Sequence, residues 1–250
     1  MKEAVKRISA LTKRNLKEIL RDPISLIFLI GLPLFMLILF YYMFHSLTPQ
    51  FEMKYLAPGI IVFAQAFLTL FCGLLISLDR ASAFLTRLYV TPAGSYEFIA
   101  GYVLAMLPVS LAQSVLFFVT AGIIDPTFFS ARMILGVLCS LITALLYIGF
   151  GILFGSLCNE KAIGGVASVV ISGQSVLSGM WFPLEGINKN VITAMNILPF
   201  RPAGQFIQNV VSGTENVFTD IVKPLLIVFA YTVVITAAGI LVYNAKMKRQ

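Results

Sequence analysis

Long uncharged hydrophobic runs alternate with short polar segments along most of this chain. Six of these runs contain no Asp, Glu, Lys or Arg over about 20 residues, the length that an α-helix needs to cross the hydrocarbon core of a bilayer. Strands of a membrane β-barrel would be shorter and would alternate in polarity. The pattern therefore predicts an all-α membrane protein with six transmembrane helices. The runs are Ile24–Phe44, Leu56–Leu78, Phe98–Ile124, Met133–Cys158, Ala162–Phe182 and Pro224–Tyr243.

The composition supports this fold class and excludes two others. Hydrophobic residues make up 59% of the 250 residues, charged residues 12%, and the mean hydropathy is +0.93. A soluble domain carries about 25% charged residues, and a disordered chain is poor in hydrophobic residues. We therefore expect a membrane domain over residues 24–243, preceded by a cytoplasmic segment 1–23 and followed by a short cytoplasmic tail, 244–250.

The N-terminal segment has the pattern of an amphipathic helix. Over residues 2–22, apolar residues such as Val5 and Ile8 recur on one side and cations such as Lys6 and Lys13 on the other. Such a helix lies at the membrane interface with its cations toward lipid phosphates, and Pro23 is expected to end it. Two roles remain open: an anchor that fixes topology, or a lever that connects a cytoplasmic partner to the first span.

The distribution of Lys and Arg sets the expected orientation. Thirteen of the 18 cations lie in segments 1–23, 79–97, 159–161 and 244–250, which share one side of a six-span topology. By the positive-inside bias this side is the cytoplasm, so both termini are expected there. The net charge of +7 then reflects this topology and contact with lipid headgroups. Binding of nucleic acid is not expected, because no solvated basic domain is present.

Two segments outside the spans carry helical patterns. In the cytoplasmic loop, a short helix near residues 80–90 would expose Phe84, Leu85 and Leu88, so either a partner or the membrane surface should cover it. On the other side, Asn188–Ile197 and Ala203–Val211 predict a helical hairpin near residues 184–212 that dips into the outer leaflet.

The sequence shows no residues suited to catalysis, metal binding or cofactor binding. The three Cys residues fall inside apolar runs, the single His45 lies at the end of the first run, and no phosphate-binding loop motif occurs. The predicted spans contain no carboxylate and no His, which argues against a membrane enzyme and a proton-driven pump. A sodium site made of backbone carbonyls would escape detection.

Uncharged polar residues lie deep in the predicted spans and are candidates for a substrate pathway. An amphiphile needs apolar walls with a few polar contacts. Helix packing is the alternative, because rows of small residues four apart, such as Gly151 and Gly155 or Gly164, Ser168 and Ser172, let helices approach closely. The pathway candidates are Gln65, Thr69, Gln113, Ser172, Gln174 and Ser178.

Three segments together resemble the permease subunits of type-2 ABC exporters. They are Arg21-Asp22-Pro23 after the basic helix, Thr86-Arg87-Leu88-Tyr89-Val90-Thr91-Pro92 with Glu97-Phe98-Ile99-Ala100-Gly101, and Ser178-Gly179-Met180-Trp181-Phe182-Pro183 with Leu198-Pro199-Phe200. The second is similar to the coupling-helix stretch of that family. The chain departs from the family pattern at Asp79 and Ala83, where many relatives carry Glu and Gly.

The resemblance implies a transport subunit of the plasma membrane that is not itself an enzyme. A separate ATPase, in two copies, would bind ATP and Mg²⁺, and this chain would pair with a second copy or a sister permease. The complex would export an amphiphile such as a drug, a lipid-linked molecule or a peptide. The alternative is a stand-alone secondary transporter, or another polytopic membrane protein without an ATPase partner. The implied ATPase-coupling residues are Asp79, Arg80, Phe84, Leu85, Arg87, Leu88, Thr91 and Pro92.

Overall fold

A computed structural model describes residues 2–82, 94–182, 184 and 186–247 of the chain. Within these ranges the protein is all-helical, with nine helices and two short 3-10 turns at Pro49–Phe51 and Pro126–Phe128. The helices are α1 (Lys2–Arg21), α2 (Pro23–Phe44), α3 (Met53–Ala81), α4 (Ser95–Ile124), α5 (Ala131–Leu157), α6 (Glu160–Leu177), α7 (Lys189–Ile197), α8 (Phe200–Ser212) and α9, which starts with a π-helical turn at Phe218–Val222 and continues over Lys223–Met247.

The boundary between α1 and α2 lies where the sequence places it. Asp22 has an extended backbone between the two helices, and its carboxylate accepts hydrogen bonds from the Ile24 N–H at 3.1 Å and the Ser25 hydroxyl at 2.5 Å. The next residue, Pro23, occupies the first position of α2, where its missing N–H costs nothing. In the structure, α1 thus ends at Arg21, just before Asp22 and Pro23.

Within the described residues, five helices are long and apolar enough to cross a membrane: α2, α3, α4, α5 and α9. The fifth hydrophobic run differs from its prediction, because α6 ends at Leu177 and not at Phe182. Gly179 takes a positive φ of 70°, and the Ser178 hydroxyl accepts a hydrogen bond from the Met180 N–H, so the chain turns away there. An 18-residue helix is about 27 Å long, slightly less than the hydrocarbon thickness.

Helix α3 lies at the centre of the molecule. Of its most apolar 18 residues, 89% are buried, against 22% for α2 and 17% for α9. It packs against α5, α6, α8, α4 and α2. The approach to α5 requires glycine: a Cβ at Gly155 would lie 2.7 Å from the Gly73 carbonyl oxygen, and a Cβ at Gly151 would lie 2.7 Å from the Cys72 Cβ. One of the two rows of small residues thus serves contact between helices.

The predicted helical hairpin corresponds to α7 and α8. The Asn188 side chain caps α7 by accepting from the Asn190 N–H at 2.9 Å, and Gly213, with a φ of 84°, ends α8. The apolar side of α8, with Phe206 and Ile207, is buried against the rest of the chain. Helix α8 of this hairpin packs on the N-terminal end of α3, the end that lies farthest from α1.

Candidate functional site

Helix α1 lies directly on the first turns of α4. A Cβ at Gly101 would stand 2.8 Å from the Leu11 Cβ, so only glycine at this position allows the two helices to lie so close. Ile19, farther along α1, is also buried. The apolar side of α1 is therefore covered at these positions by protein.

The first polar link between α1 and the spans joins Arg7 to Glu97. The Arg7 Nε lies 2.6 Å from Glu97 Oε2 and its Nη2 lies 2.8 Å from Oε1, a two-pronged arrangement. The Glu97 side chain is only 1% exposed and also accepts a hydrogen bond from the Tyr96 hydroxyl at 3.1 Å. The hydrogen bond to Glu97 raises the pKa of Arg7 above its ordinary value.

The second link joins Arg14 to Asp79 in the last turns of α3. The Arg14 Nη1 donates to Asp79 Oδ2 at 2.9 Å, and its Nη2 donates to the other carboxylate oxygen. The Tyr102 hydroxyl of α4 donates to Asp79 Oδ2 at 2.7 Å. Burial lowers the pKa of Arg14, but the hydrogen bond and charge of Asp79 more than offset it, so the net pKa is raised.

These two ion pairs lie at the two ends of the segment from 83 to 93. Asp79 precedes that segment and Glu97 follows it, so ion pairs connect α1 both to the helix before the segment and to the helix after it. We call α1, the end of α3 and the start of α4 together the α1 platform. Sequence reasoning missed the roles of Arg7, Arg14 and Glu97, although a carboxylate in the first turn of an apolar run was a signal for the last of them. The predicted coupling residues Phe84, Leu85, Arg87, Leu88, Thr91 and Pro92 lie outside the described residues.

The remaining predicted coupling residue, Arg80, contacts the end of α5. Its Nη1 donates to the backbone carbonyl oxygens of Gly155 at 2.7 Å, Ser156 at 2.6 Å and Cys158 at 3.3 Å. A cation in this position satisfies carbonyls that a helix leaves free at its C-terminus. Arg80 therefore joins the last turns of α3 to the last turn of α5.

Two of the predicted pathway residues belong to a polar cluster between α3, α4 and α5. The Gln65 Nε2 donates to the Ser140 carbonyl at 2.8 Å and to the Ser110 hydroxyl at 3.2 Å, and its Oε1 accepts from the Thr143 hydroxyl at 2.6 Å. One turn farther along α3, the Thr69 hydroxyl donates to the Tyr147 carbonyl at 3.0 Å. Both side chains are fully buried within the chain and connect helices.

Two further pathway candidates, Gln113 and Gln174, are also fully buried. The Gln113 Nε2 donates at 2.6 Å to the Leu29 carbonyl, which lies in the π-helical turn Ile27–Gly31 of α2. The Gln174 Oε1 accepts from the Tyr147 hydroxyl at 2.5 Å. In each glutamine the second amide atom, Gln113 Oε1 or Gln174 Nε2, is buried without a partner among the described residues. The structure thus does not gather the six candidates on one surface.

The exposed candidate, Ser172, lies on a side of α6 that no other part of the described chain covers. Gly164 and Gly165 on the same side have no atom within 4 Å of an added Cβ. Ser178, at the other end of α6, is 8% exposed. The exposed positions of this small-residue side are Gly164, Gly165, Ser168, Val169, Ser172 and Val176.

Metal-ligating groups do not cluster in the described part of the chain, where no three His, Cys, Asp or Glu side chains come together to hold an ion. The described residues present three features: the α1 platform held by two ion pairs, a central helix bonded to its neighbours by buried amides and hydroxyls, and an uncovered side of α6.

Comparison with known families gives one match. The model of the ABC-2 type transporter family aligns with residues 6–211, from the first turns of α1 to the end of α8. A comparison with curated proteins gave no match.

Proposed function

The chain belongs to the ABC-2 type transporter family, and on that premise we propose that it is the permease subunit of an ATP-driven exporter. It is an integral membrane protein and a transport component, and members of this family normally work with an ATPase partner. Two copies of that ATPase would supply the ATP and Mg²⁺ chemistry. They would dock on the segment from 83 to 93 and on α1.

The α1 platform is the observation that carries this proposal. Arg7 and Arg14 join one helix to the ends of two different spans, on either side of the segment where the ATPase would dock. A displacement of that segment by the ATPase would therefore be transmitted to α3, α4 and α1 together and not to one helix alone. Rigid elements connected by buried ion pairs and close packing are the kind of network that transmits such a displacement.

The transport pathway requires a second permease copy in this proposal. Helix α6 would be the sixth span, and residues 178–182 would cover the few ångströms of hydrocarbon thickness that the helix itself does not reach. The protein would lie in the plasma membrane with both termini in the cytoplasm. The small-residue side of α6, which includes Ser168 and Ser172, would face the partner copy. Helices with small residues at intervals of four approach one another closely.

The chemistry of neighbouring side chains favours an amphiphilic substrate. Trp181 lies edge-on to Phe40 and to Phe63, with ring centroids 4.9 Å and 5.7 Å away, and its indole N–H donates to the Ser175 hydroxyl at 2.9 Å. Aromatic rings beside a few hydroxyls are suited to a molecule that is mostly apolar and partly polar. Such a surface, next to the uncovered side of α6, would form part of the pathway wall.

Purification from the native membrane tests the proposal. Tagged full-length protein should bring down an ATPase subunit, and amphiphiles should stimulate ATP hydrolysis by the complex. Arg87→Glu should weaken this co-purification or uncouple hydrolysis from transport, because a charge in the docking segment is reversed. Lys248→Glu makes the same change in the cytoplasmic tail and should leave both unaffected. A protein that arrives alone and transports in response to an ion gradient would overturn the proposal.

A further inference from the structure

A pocket with both polar and apolar lining residues lies at the end of the molecule opposite the α1 platform. Its volume is about 240 Å³, and it is enclosed by the Pro49–Phe51 turn, the first turn of α3, the residues that follow α6, and one side of α8. Its lining residues are Pro49, Gln50, Tyr55, Ser178, Gly179, Met180, Leu184, Arg201, Gln205 and Gln208. Among the residues that the structure describes, no Asp or Glu lines the pocket.

One cation lines the pocket. Arg201 is half-buried, and its Nη1 donates to the Asn196 side chain at 2.7 Å. A guanidinium has five N–H donors, so this contact leaves most of its hydrogen-bonding capacity for a ligand. Burial lowers the pKa of Arg201. This direction is expected for a cation that is partly removed from water and has no carboxylate beside it among the described residues. Such a group favours an anion, and its planar fork suits phosphate.

The glutamines of the pocket add complementary groups. The Gln50 Nε2 donates to the Phe182 carbonyl at 3.1 Å, and its Oε1 is an acceptor that is buried without a partner among the described residues. The Gln208 Nε2 donates to the Tyr55 carbonyl at 2.9 Å, so its Oε1 is also an acceptor. Acceptor oxygens near a cation suit a ligand that carries both negative charge and hydroxyl donors.

The size and place of the pocket indicate a headgroup. Sites for whole drug-sized molecules usually occupy about 300–1,000 Å³, more than this pocket offers. It opens at the ends of α3 and α6, where lipid headgroups meet membrane-spanning helices, and Met180 and Leu184 provide apolar contacts. We propose that this pocket binds the anionic, hydroxyl-bearing phosphate headgroup of an amphiphile, with Arg201 as its charge partner.

Lipid binding to the full-length protein in phosphatidylcholine nanodiscs tests the proposal. The probe is dihexanoyl-phosphatidylglycerol, and Trp181, the single tryptophan of the chain, directly follows the lining residue Met180 and reports binding by its fluorescence. Native mass spectrometry of the same samples counts bound lipid. Saturable binding is expected for this lipid and not for dihexanoyl-phosphatidylcholine, whose headgroup has no net charge.

Charge variants show whether the pocket is responsible. Arg201→Gln should weaken binding about tenfold or more, the effect of losing a hydrogen bond between charged groups. Gln205→Glu should also weaken it, by placing a carboxylate in the pocket. Lys189→Gln removes an exposed cation at the start of α7, outside the pocket, and should have no effect. Size-exclusion profiles identical to that of the parent protein show that each variant is folded.

Two results would overturn the proposal: equal binding of the two lipids, or unchanged binding by folded Arg201→Gln. A third result, binding of glycerol 1-phosphate as tight as that of the lipid, would show that a free phosphate ester suffices and would overturn the assignment to an amphiphile. The measurement needs neither ATP nor a partner subunit, so its outcome is independent of the exporter proposal.

Discussion

The contact between α3 and α5 depends on the absence of single side chains. Gly155→Ala would place a methyl group 2.7 Å from the Gly73 carbonyl oxygen, a backbone atom that cannot move without displacing a helix. We expect this substitution to destabilise the protein by about 1–3 kcal/mol, the usual cost of overpacking a close contact. A lower thermal midpoint of the detergent-purified protein would show it.

Gly164→Ala is the matched control, since an added Cβ there meets no atom within 4 Å. It should leave the midpoint of a single chain unchanged or raise it slightly, because alanine favours helix more than glycine does. Equal midpoints for the two variants would contradict the backbone contact between α3 and α5.

The buried amide of Gln65 provides a second prediction. Gln65→Leu removes hydrogen bonds to Ser110, Ser140 and Thr143 and leaves their polar groups in an apolar interior. Hydrogen bonds between membrane helices contribute about 0.6–1.7 kcal/mol each, so a total loss of about 2 kcal/mol is expected. The thermal midpoint should fall, whereas the range of substrates that stimulate the ATPase should not change.

Ser172→Leu is the counterpart on the exposed side of α6. Its side chain makes no hydrogen bond with the described residues, so the substitution should leave the midpoint unaltered, but it should alter substrate range or assembly. If Gln65→Leu changes the substrates and Ser172→Leu does not, then Gln65 lines the pathway and the packing role assigned to it is wrong.

At the scale of elements, α1 depends on its two ion pairs. Arg14→Ala leaves the Asp79 carboxylate buried with only Tyr102 as a described hydrogen-bond donor. Breaking a buried pair usually costs about 3–5 kcal/mol, and we expect about 2 kcal/mol here because a third of the Arg14 side chain is exposed. Faster proteolysis within α1 and a lower midpoint would show the loss.

The exposed neighbour Lys13 offers the control for this change. Lys13→Ala removes one cation from the same helix and should affect neither readout, since surface charges contribute little to stability. Asp79→Asn with Arg14→Ala should cost less than Arg14→Ala alone, because no unpaired charge remains. A double variant as unstable as the sum of both single changes would contradict direct pairing.

Elements with local signatures were predictable from sequence, and contacts between distant elements were not. The amphipathic period of α1, the Asp22-Pro23 break and the Gly213 end of α8 all follow from neighbouring residues. The end of α6 was misplaced, because hydrophobicity continues past Gly179 while the backbone turns there. Arg7 and Glu97 are 90 positions apart, and Arg14 and Asp79 are 65 apart, so no periodicity brings them together.

The candidate pathway shows the same limit. The sequence locates uncharged polar residues within the hydrophobic runs, but a polar side chain in an apolar helix serves packing or transport according to the direction in which it points. Gln65 and Gln174 point into the chain, whereas Ser172 is exposed. That direction depends on the rotation of each helix within the bundle, which the neighbouring helices determine.

At the scale of the whole molecule, the most tightly packed helix, α3, is distinct from the helix with the uncovered side, α6. Helix α3 is held by glycine contacts, buried amides, and the Arg80 and Asp79 links at its C-terminal end. Helix α6 has one side packed on α3 and the small-residue side uncovered. In the proposed dimer, such a subunit would move as one body against the second copy, with the relative motion at α6.

A disulfide test places the second copy. In a background with Cys139 and Cys158 replaced by Ala and the buried Cys72 retained, Ser168→Cys should form a covalent dimer in native membranes under mild oxidation. Facing cysteines bridge only when their Cα atoms lie within about 7 Å, which a small-residue contact between two α6 helices allows. The product should appear at twice the mass of the chain on a non-reducing gel and disappear on reduction.

Val234→Cys is the control, on a helix with little protein cover. Val234 is 66% exposed on α9, so its cysteine should remain unpaired if that side faces lipid. Cross-linking at both positions would indicate random collision in the membrane, and cross-linking at Val234 alone would move the contact between copies to α9. Selective cross-linking at Ser168, increased or abolished by ATP when the ATPase is present, would show that the separation of the two α6 helices changes during the transport cycle.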